Sequence, residues 1–309
     1  PGTQAKGLPA GHGEEWLAGP VPTMRNLRLL KETLERIRKT GDAVEPSRVK
    51  NGRNGRAEVA VFPVDSYDGA LFAGFTLTQR MQDGLTTADV VKRAGGLYKQ
   101  ENQKGGVALI LGAGNVSSIP PMDALYKLYA EGFVCIIKMN PVNEWVGPHL
   151  ERAFKSFIDK GYLRIVYGGA DVGKYLVEHD VVEDIHITGS NITHDVIVWG
   201  PPGPDRARRM KENAPLLKKR ITSELGNVSP VAIVPGEYTQ AEIDFMAQNV
   251  AAMVSNNGSF NCNAAKMLIT SKGWAQRDAF LEGLSRNLAS TPTRKAYYPG
   301  AADRYETLT

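Results

Sequence analysis

The sequence predicts an α/β fold built around a parallel sheet. From Gly106 onward, short apolar runs alternate with longer amphipathic stretches, which is typical of strand–helix–strand units whose strands are buried on both faces. The first apolar run ends in a turn with two glycines, Gly112 and Gly114, and such a turn before a helix favours nucleotide binding. The 309 residues, 42% of them hydrophobic, suffice for two domains, or for one large domain and part of another.

The region before Gly106 contains fewer predicted elements. Residues up to about Pro20 are rich in Gly, Pro and charged side chains, which predicts an extended arm. Apolar residues at helical spacing predict a helix over 23–39, and apolar and polar residues alternate over 57–62 as in a half-buried strand. A second helix is expected over 86–94.

The alternating region predicts the strands and helices of the sheet in turn. The apolar runs that predict buried strands lie at residues 107–111, 133–137, 163–166 and 185–187. The amphipathic stretches that predict helices lie around residues 119–131, 145–160, 171–179 and 191–199. Beyond Glu224, strands and helices are expected to alternate over residues 228–234, 240–255, 266–269 and 275–287.

Composition excludes several classes of function. Lys and Arg exceed Asp and Glu by only four, 37 against 33, and the basic run at 206–211 predicts a solvated surface rather than a nucleic-acid site. Two cysteines imply no disulfide framework and favour the cytoplasm, and Cys135, inside an apolar run, is predicted to be a core residue. No apolar run reaches membrane-spanning length. We expect a small-molecule substrate, no nucleic-acid partner and no membrane span, and we assign no metal ligands.

One carboxylate and one thiol stand out as a candidate reactive pair. Glu224 precedes Cys262 by 38 positions (262 − 224). A thiolate can add to an aldehyde carbonyl and hold the carbon as a thioester, and a carboxylate can take a proton from the thiol or from the water that cleaves the thioester. Because such a spacing also arises by chance, the remaining motifs decide.

Several segments, in order, resemble the aldehyde dehydrogenase superfamily. Asn115 follows the first glycine turn, where that family has an oxyanion-binding amide, and Lys138 lies 23 positions later (138 − 115). The sequence Ile-Thr-Gly-Ser at residues 187–190 is similar to the family's second nucleotide loop. The sequence Glu-Leu-Gly-Asn-Val-Ser-Pro at residues 224–230 is similar to the general-base motif.

The resemblance, which covers about residues 105–270, implies a reaction. It implies an oxidoreductase that oxidises an aldehyde with NAD or NADP, with Cys262 as the nucleophile, Glu224 as the general base and Asn115 as the oxyanion donor. The residues that it implies for cofactor binding are Gly112, Lys138, Asn140, Gly189 and Ser190.

The resemblance also implies a domain organisation. A Rossmann-type parallel-sheet domain, preceded by an N-terminal arm, is expected within residues 1–225. The start of a second α/β catalytic domain, which bears the thiol, is expected over residues 226–309.

The cysteine segment departs from the family pattern. The family's Gly-Gln-x-Cys puts the thiol third after the glycine, whereas Cys262 is fourth after Gly258 and Asn261 is third. Either a one-residue bulge restores Cys262 to the site, or the chain is a degenerate relative. We favour the bulge, because Asn cannot form a thioester.

Residues 139–141 depart as well. They read Met-Asn-Pro, whereas the family usually has Pro at the first position, Ser or Ala at the second and Glu at the third. The loss of this carboxylate beside Lys138 favours the 2′-phosphate of NADP. The Asn-Pro pair also resembles the His-Pro of CoA-acylating aldehyde dehydrogenases and acyl-CoA reductases, so an acyl substrate is a second hypothesis. A non-catalytic nucleotide-binding relative is a third.

His194, in the second nucleotide loop, is either a binding residue or a residue of a helix surface.

The ends of the chain suggest a fragment. The sequence begins at Pro1 rather than Met, and only 47 residues follow Cys262 (309 − 262). Members of the family that this chain resembles continue further, through an oligomerising segment. We therefore expect a truncated catalytic domain from a parent enzyme that is a homo-oligomer.

Overall fold

The chain is described from a computed structural model, and the structure describes residues 2–7 and 11–308. The helices are α1 (Gly2–Ala5), α2 (His12–Ala18), α3 (Pro20–Thr40), α4 (Ser66–Leu71), α5 (Thr87–Arg93), α6 (Ile119–Ala130), α7 (Gly147–Ala153), α8 (Lys155–Asp159), α9 (Ala170–Glu178), α10 (Asn191–Trp199), α11 (Pro204–Lys211), α12 (Gln240–Ser255), α13 (Arg277–Ser290) and α14 (Ala301–Leu308). The strands are β1 (Val49–Asn51), β2 (Ala57–Phe62), β3 (Leu77–Arg80), β4 (Val107–Leu111), β5 (Val134–Lys138), β6 (Leu163–Val166), β7 (Val182–Gly189), β8 (Arg220–Leu225), β9 (Pro230–Ile233) and β10 (Met267–Thr270). Within the described residues, no helix combines the length and the apolar character needed to cross a membrane.

The chain forms two compact units, and the smaller one comprises Met24–Gly105 with Tyr129–Gly132. Its strands β1, β2 and β3 form an antiparallel sheet in that order. Val49, Ala57, Val59 and Val90 form its buried core. Helix α5 begins with a capping box between Thr86 and Asp89, which satisfies amide groups that the first helical turn leaves free.

The larger unit is built on a five-stranded parallel sheet with the strand order β6-β5-β4-β7-β8. Its central strands β4, β5 and β7 are largely buried; Leu109, Ile110, Ile137 and Ile185 are fully enclosed. Strands β5 and β6 are added on one side of β4, and β7 and β8 on the other. The direction in which successive strands are added therefore reverses between β4 and β7. In open α/β sheets, ligands bind at the carboxyl ends of the strands at such a reversal point.

The larger unit also contains a smaller layer that carries the thiol segment. Strands β9 and β10 pair in parallel, and helices α12 and α13 pack against each other beside them. Ile243, Ala247, Val250 and Phe280 form the buried core of this layer, together with Trp274. Its helix α12 ends at Ser255, immediately before the loop that leads to Cys262.

The predicted α/β fold with a parallel sheet is confirmed. Strands β4 and β6 and helix α12 coincide with the predicted ranges. Strand β5 is shifted by one residue, and β7 extends the predicted run at both ends, to Val182–Gly189. The predicted helix over 23–39 is confirmed as α3. Long apolar runs and strongly periodic stretches were therefore sufficient signals.

The predicted extended arm before Pro20 is wrong for the described residues of that segment; residues 8–10 lie outside them. Helices α1 and α2 form there, and α3 begins at Pro20 itself. Glu14 and Glu15 lie in the first turn of α2, where carboxylates stabilise the positive end of the helix dipole. The glycines and prolines thus separate short helices instead of preventing them.

Several elements lack the sequence patterns that predict strands and helices. Strand β8 is polar and pairs only with β7, so it lies at the sheet edge, where no continuous apolar run is required. All residues of β3 are exposed, which removes the alternation that predicts a strand. Helix α11 carries the basic run, and none of its residues is buried.

Candidate active site

A cavity of about 940 Å³ opens in the larger unit at the carboxyl ends of β4, β5 and β7. The five residues predicted to bind the cofactor all line it: Gly112, Lys138, Asn140, Gly189 and Ser190. They come from three strand ends that the parallel sheet brings to one edge. The cavity is therefore formed by the same strands that create the reversal point of the sheet.

The glycine turn after β4 is closely packed on its neighbours. A Cβ on Gly112 would lie 3.1 Å from Pro120 and 3.3 Å from the carbonyl oxygen of Lys138. A Cβ on Gly114 would lie 2.5 Å from the Tyr298 hydroxyl and 2.8 Å from Oδ1 of Asn140. Any larger residue at 114 would displace one of these groups, so glycine is required for close approach here rather than for a positive φ.

The second loop of the cavity is the start of helix α10. Ser190 is its N-cap and accepts a hydrogen bond from the amide of Ile192 at 3.1 Å. The N-terminus of a helix presents free amide groups and the positive end of the dipole. Next to Gly189, this end of α10 can receive the phosphates of a nucleotide. His194, further along α10, lies 3.2 Å from the carboxylate of Asp195.

Lys138 supplies a positive charge to the cavity from the end of β5. Burial lowers the pKa of its ammonium, whereas the carboxylates of Glu144 and Asp171 act in the opposite direction. Asn140 uses its Oδ1 to accept from the amide of Val142 at 3.0 Å. The side chain at 140 therefore brings no negative charge to the wall of the cavity.

Glu224 and Cys262 are in contact. Glu224 is the penultimate residue of β8 and lies beside Thr188 of β7, and the half-buried Cys262 hydrogen-bonds to it through its thiol. Burial raises the pKa of the Cys262 thiol, and the negative charge of Glu224 and the hydrogen bond to it raise it further. The carboxylate is thus positioned to take the proton of this thiol.

The loop before Cys262 has an unusual backbone. Asn257, Gly258 and Ser259 have φ angles of +51°, +61° and +66°, which for the two non-glycine residues costs roughly 1–2 kcal/mol each. The buried side chain of Asn257 donates to Oδ1 of Asn261 at 2.8 Å. The side-chain carboxamide of Asn261 is therefore held by Asn257, and we call this pair the asparagine cluster. The next residue, Cys262, contacts Glu224. This is the local irregularity that a one-residue bulge requires.

Asn115 hydrogen-bonds to the same loop, residues 256–262, which we call the thiol loop. Its Nδ2 donates to the carbonyl of Phe260 at 2.9 Å, and its own carbonyl accepts from Asn257 at 3.0 Å. A carboxamide nitrogen has two N–H groups, so Asn115 keeps one donor beside the thiol loop. The structure thus links all three predicted catalytic residues, Asn115 through Phe260 and Glu224 through Cys262.

Sequence reasoning missed the residues that hold this loop in place. Glu14 accepts from the amide of Asn257 at 3.1 Å and pairs with Arg294 at 2.8 Å, and the Tyr297 hydroxyl donates to Oδ1 of Asn257 at 3.0 Å. These partners are separated by up to 280 positions along the chain. No local sequence motif predicts such contacts.

Asp123 is a second carboxyl group near Glu224 that the sequence did not indicate. Burial raises the pKa of Asp123 to about 6, and the like charge of Glu224 adds to this effect. The hydroxyl of Thr188, which donates to Asp123 at 2.9 Å, acts in the opposite direction. A lone acidic residue in an apolar helix is the only signal that could have drawn attention to it.

Comparison with known proteins identifies the family. The model of the family described as "Aldehyde dehydrogenase family" matches residues 21–298. The chain belongs to the aldehyde dehydrogenase family. The predicted relationship is therefore confirmed.

One solved structure with a TM-score above 0.5 agrees with the fold, and two others are also similar to parts of the chain. The substrate-bound AldH of Staphylococcus aureus is 14% identical with a TM-score of 0.55, and the match covers 96% of this chain and 52% of that one. KauB of Pseudomonas aeruginosa is 18% identical (TM-score 0.48; 85% and 41% covered), and gamma-glutamyl-gamma-aminobutyraldehyde dehydrogenase of Burkholderia cenocepacia J2315 is 25% identical (TM-score 0.45; 59% and 34% covered). The chain spans between about a third and a half of the length of these family members.

The contact between Glu224 and Cys262 yields a prediction on thiol reactivity. Because the carboxylate raises the pKa of the thiol, Glu224→Gln lowers that pKa and increases the thiolate fraction. Alkylation of Cys262 by iodoacetamide at pH 8 is expected to become about three- to tenfold faster.

Two controls accompany this measurement. Cys135 is buried, and burial raises its pKa to about 12, so one thiol per folded chain is expected to react. Glu212→Gln, at the exposed end of α11, should leave the rate unchanged. An unchanged rate in Glu224→Gln would mean that the carboxylate does not act on this thiol, and a slower rate would mean that its action as a base outweighs its effect on the thiol pKa.

Proposed function

We propose that the protein oxidises an aldehyde to a carboxylic acid with NAD or NADP, through a thioester on Cys262. The observation that carries this proposal is the hydrogen bond between the Cys262 thiol and Glu224. It joins a nucleophile to a base at the edge of the sheet where the cavity opens. Membership of the aldehyde dehydrogenase family supports the same chemistry.

The cavity fits a dinucleotide. Its volume of about 940 Å³ lies at the upper end of the range of ligand sites, roughly 300–1,000 Å³. Gly112 adds no side chain to the cavity wall after β4, and the N-terminus of α10 and Lys138 favour negative charge. Gly189 and Ser190 would receive phosphate groups, and Lys138 the ribose or its phosphate. The bound cofactor would supply the hydride acceptor.

The first chemical step belongs to Cys262, Glu224 and Asn115. Glu224 removes the proton of the thiol, and the sulfur forms a bond to the aldehyde carbon. The carbonyl oxygen becomes an oxyanion, which accepts a hydrogen bond from the second N–H group of Asn115. Donors that face the developing charge stabilise the transition state more than the ground state.

The second step releases the acid. Once the carbon bound to Cys262 has lost a hydride, it is a thioester. Glu224 first releases the thiol proton to solvent and then takes a proton from water; the oxygen of that water bonds to the acyl carbon, and the bond to sulfur breaks. The carboxylic acid leaves, and the Cys262 thiolate takes the proton back from Glu224, which regenerates the thiol and the carboxylate.

Cys262→Ala is expected to abolish NAD(P)H formation, because no other group can hold the substrate carbon. The assay is absorbance at 340 nm with a panel of short, long and aromatic aldehydes. Cys135→Ala is the matched control and should retain turnover. Retained turnover in Cys262→Ala would overturn the proposal. Turnover that depends on added CoA would favour the acyl-transfer alternative, which rests on Asn140 and Pro141 alone.

We further propose a preference for NADP. It rests on the positive charge of Lys138 at the cavity and on Pro141, three positions after Lys138, where the family usually has Glu. An ammonium that lacks this carboxylate attracts a 2′-phosphate and gains less from a ribose hydroxyl.

Lys138→Met tests this preference. The dissociation constant of NADP+ is expected to rise by about tenfold and that of NAD+ by about two- to threefold, because only NADP+ loses an ion pair. Calorimetric titration measures both. Lys155→Met, in an exposed pair with Asp159, should change neither. An equal loss for the two dinucleotides would mean that Lys138 binds the ribose rather than the phosphate.

A further inference from the structure

Tyr298 is a wall residue of the cavity that no sequence motif indicated. It lies 36 residues beyond Cys262 (298 − 262) and lines the cavity together with Gly112, Lys138 and Asn140. Its hydroxyl hydrogen-bonds to the backbone amide of Gly114. The hydroxyl is also the group that a Cβ on Gly114 would strike, at 2.5 Å.

The ring of Tyr298 connects the cavity to the thiol loop. It stacks on Phe260 with the ring centroids 5.4 Å apart and an angle of 28° between the planes. The carbonyl of Phe260 accepts from Asn115, and Cys262 follows two residues later. Tyr297 packs edge-on against the same phenylalanine at 4.8 Å. Tyr298 is therefore fixed on the side of the cavity that faces the reacting groups.

The two ends of the cavity differ in character. Lys218 and Lys219, at the opposite end of β8 from Glu224, line the cavity, as do Lys174 and Glu178 of α9. A hydride leaves a carbon that is bonded to the sulfur of Cys262, so the nicotinamide must lie at the thiol end and the adenosine at the other. Tyr298 contributes an aromatic ring to the thiol end.

We propose that the ring of Tyr298 packs against the nicotinamide half of the cofactor and favours its oxidised form. The inference rests on the proposed function and adds a contact residue to it. The oxidised nicotinamide ring carries a positive charge, and an aromatic face attracts a cation within about 6 Å. Burial raises the pKa of the Tyr298 hydroxyl, so the phenol stays neutral and in place as a hydrogen-bond partner of Gly114.

A titration with whole and truncated nucleotides tests the inference. The probes are NADP+, NADPH and adenosine 2′,5′-bisphosphate, which lacks the nicotinamide half; NAD+ and AMP form the corresponding pair. Tyr298→Leu is expected to weaken NADP+ by about tenfold, NADPH by less, and adenosine 2′,5′-bisphosphate by less than about twofold. Tyr298→Phe, which keeps the ring, should bind NADP+ within about threefold of the wild-type chain. Tyr126→Leu, at an exposed position of α6, is the matched control.

The outcomes separate this inference from the proposed function. If Tyr298→Leu binds NADP+ as tightly as the wild-type chain, the contact is absent. If it loses adenosine 2′,5′-bisphosphate as strongly as NADP+, Tyr298 only supports the turn at Gly114, and the inference is again overturned. If the wild-type chain binds neither NADP+ nor NAD+, the proposed cofactor fails and takes the inference with it.

Discussion

The left-handed backbone of residues 257–259 is the constraint on which the candidate active site depends. Three consecutive residues with positive φ turn the chain so that Asn261 lies in the asparagine cluster and Cys262 faces Glu224. Without this turn, the extra residue between Gly258 and the cysteine would bring a carboxamide to the base. The conformation is costly for Asn257 and Ser259, so other contacts must stabilise it.

Those contacts come from parts of the chain that are far apart in sequence. Asn257 binds the backbone of Asn115, the carboxylate of Glu14 and the hydroxyl of Tyr297. Each of these polar groups has a hydrogen-bond partner, which is the condition under which a polar network stabilises a fold instead of weakening it. The thiol loop, the glycine turn and the segment around Tyr298 consequently form one structural unit, which links the cavity to the reacting residues.

The sequence was most informative where a residue's role depends on local pattern. Apolar periodicity predicted the parallel sheet, and ordered motifs predicted the residues at its edge, because strand ends of a parallel sheet converge wherever the strands themselves are correct. Strand β8 escaped prediction because an edge strand needs no apolar run. The roles of four further residues were not predicted, because they depend on contacts between residues far apart in the sequence. These residues are Glu14, Asn257, Arg294 and Tyr298. The division at residues 225 and 226, the homo-oligomeric parent enzyme and the cytoplasmic location stay predictions.

The most direct measurement is the mass of the Glu224→Gln variant after incubation with NADP+ and an aldehyde. Because loss of the carboxylate lowers the pKa of the thiol, the variant still forms a thiolate, and because it lacks the base that activates water, a thioester should accumulate. The expected result is a mass increase equal to the aldehyde less two hydrogens, located by peptide mapping on Cys262 and absent when NADP+ is omitted. An adduct on another residue, or no adduct with any aldehyde that supports turnover by the wild-type chain, would contradict the role given to this thiol and carboxylate.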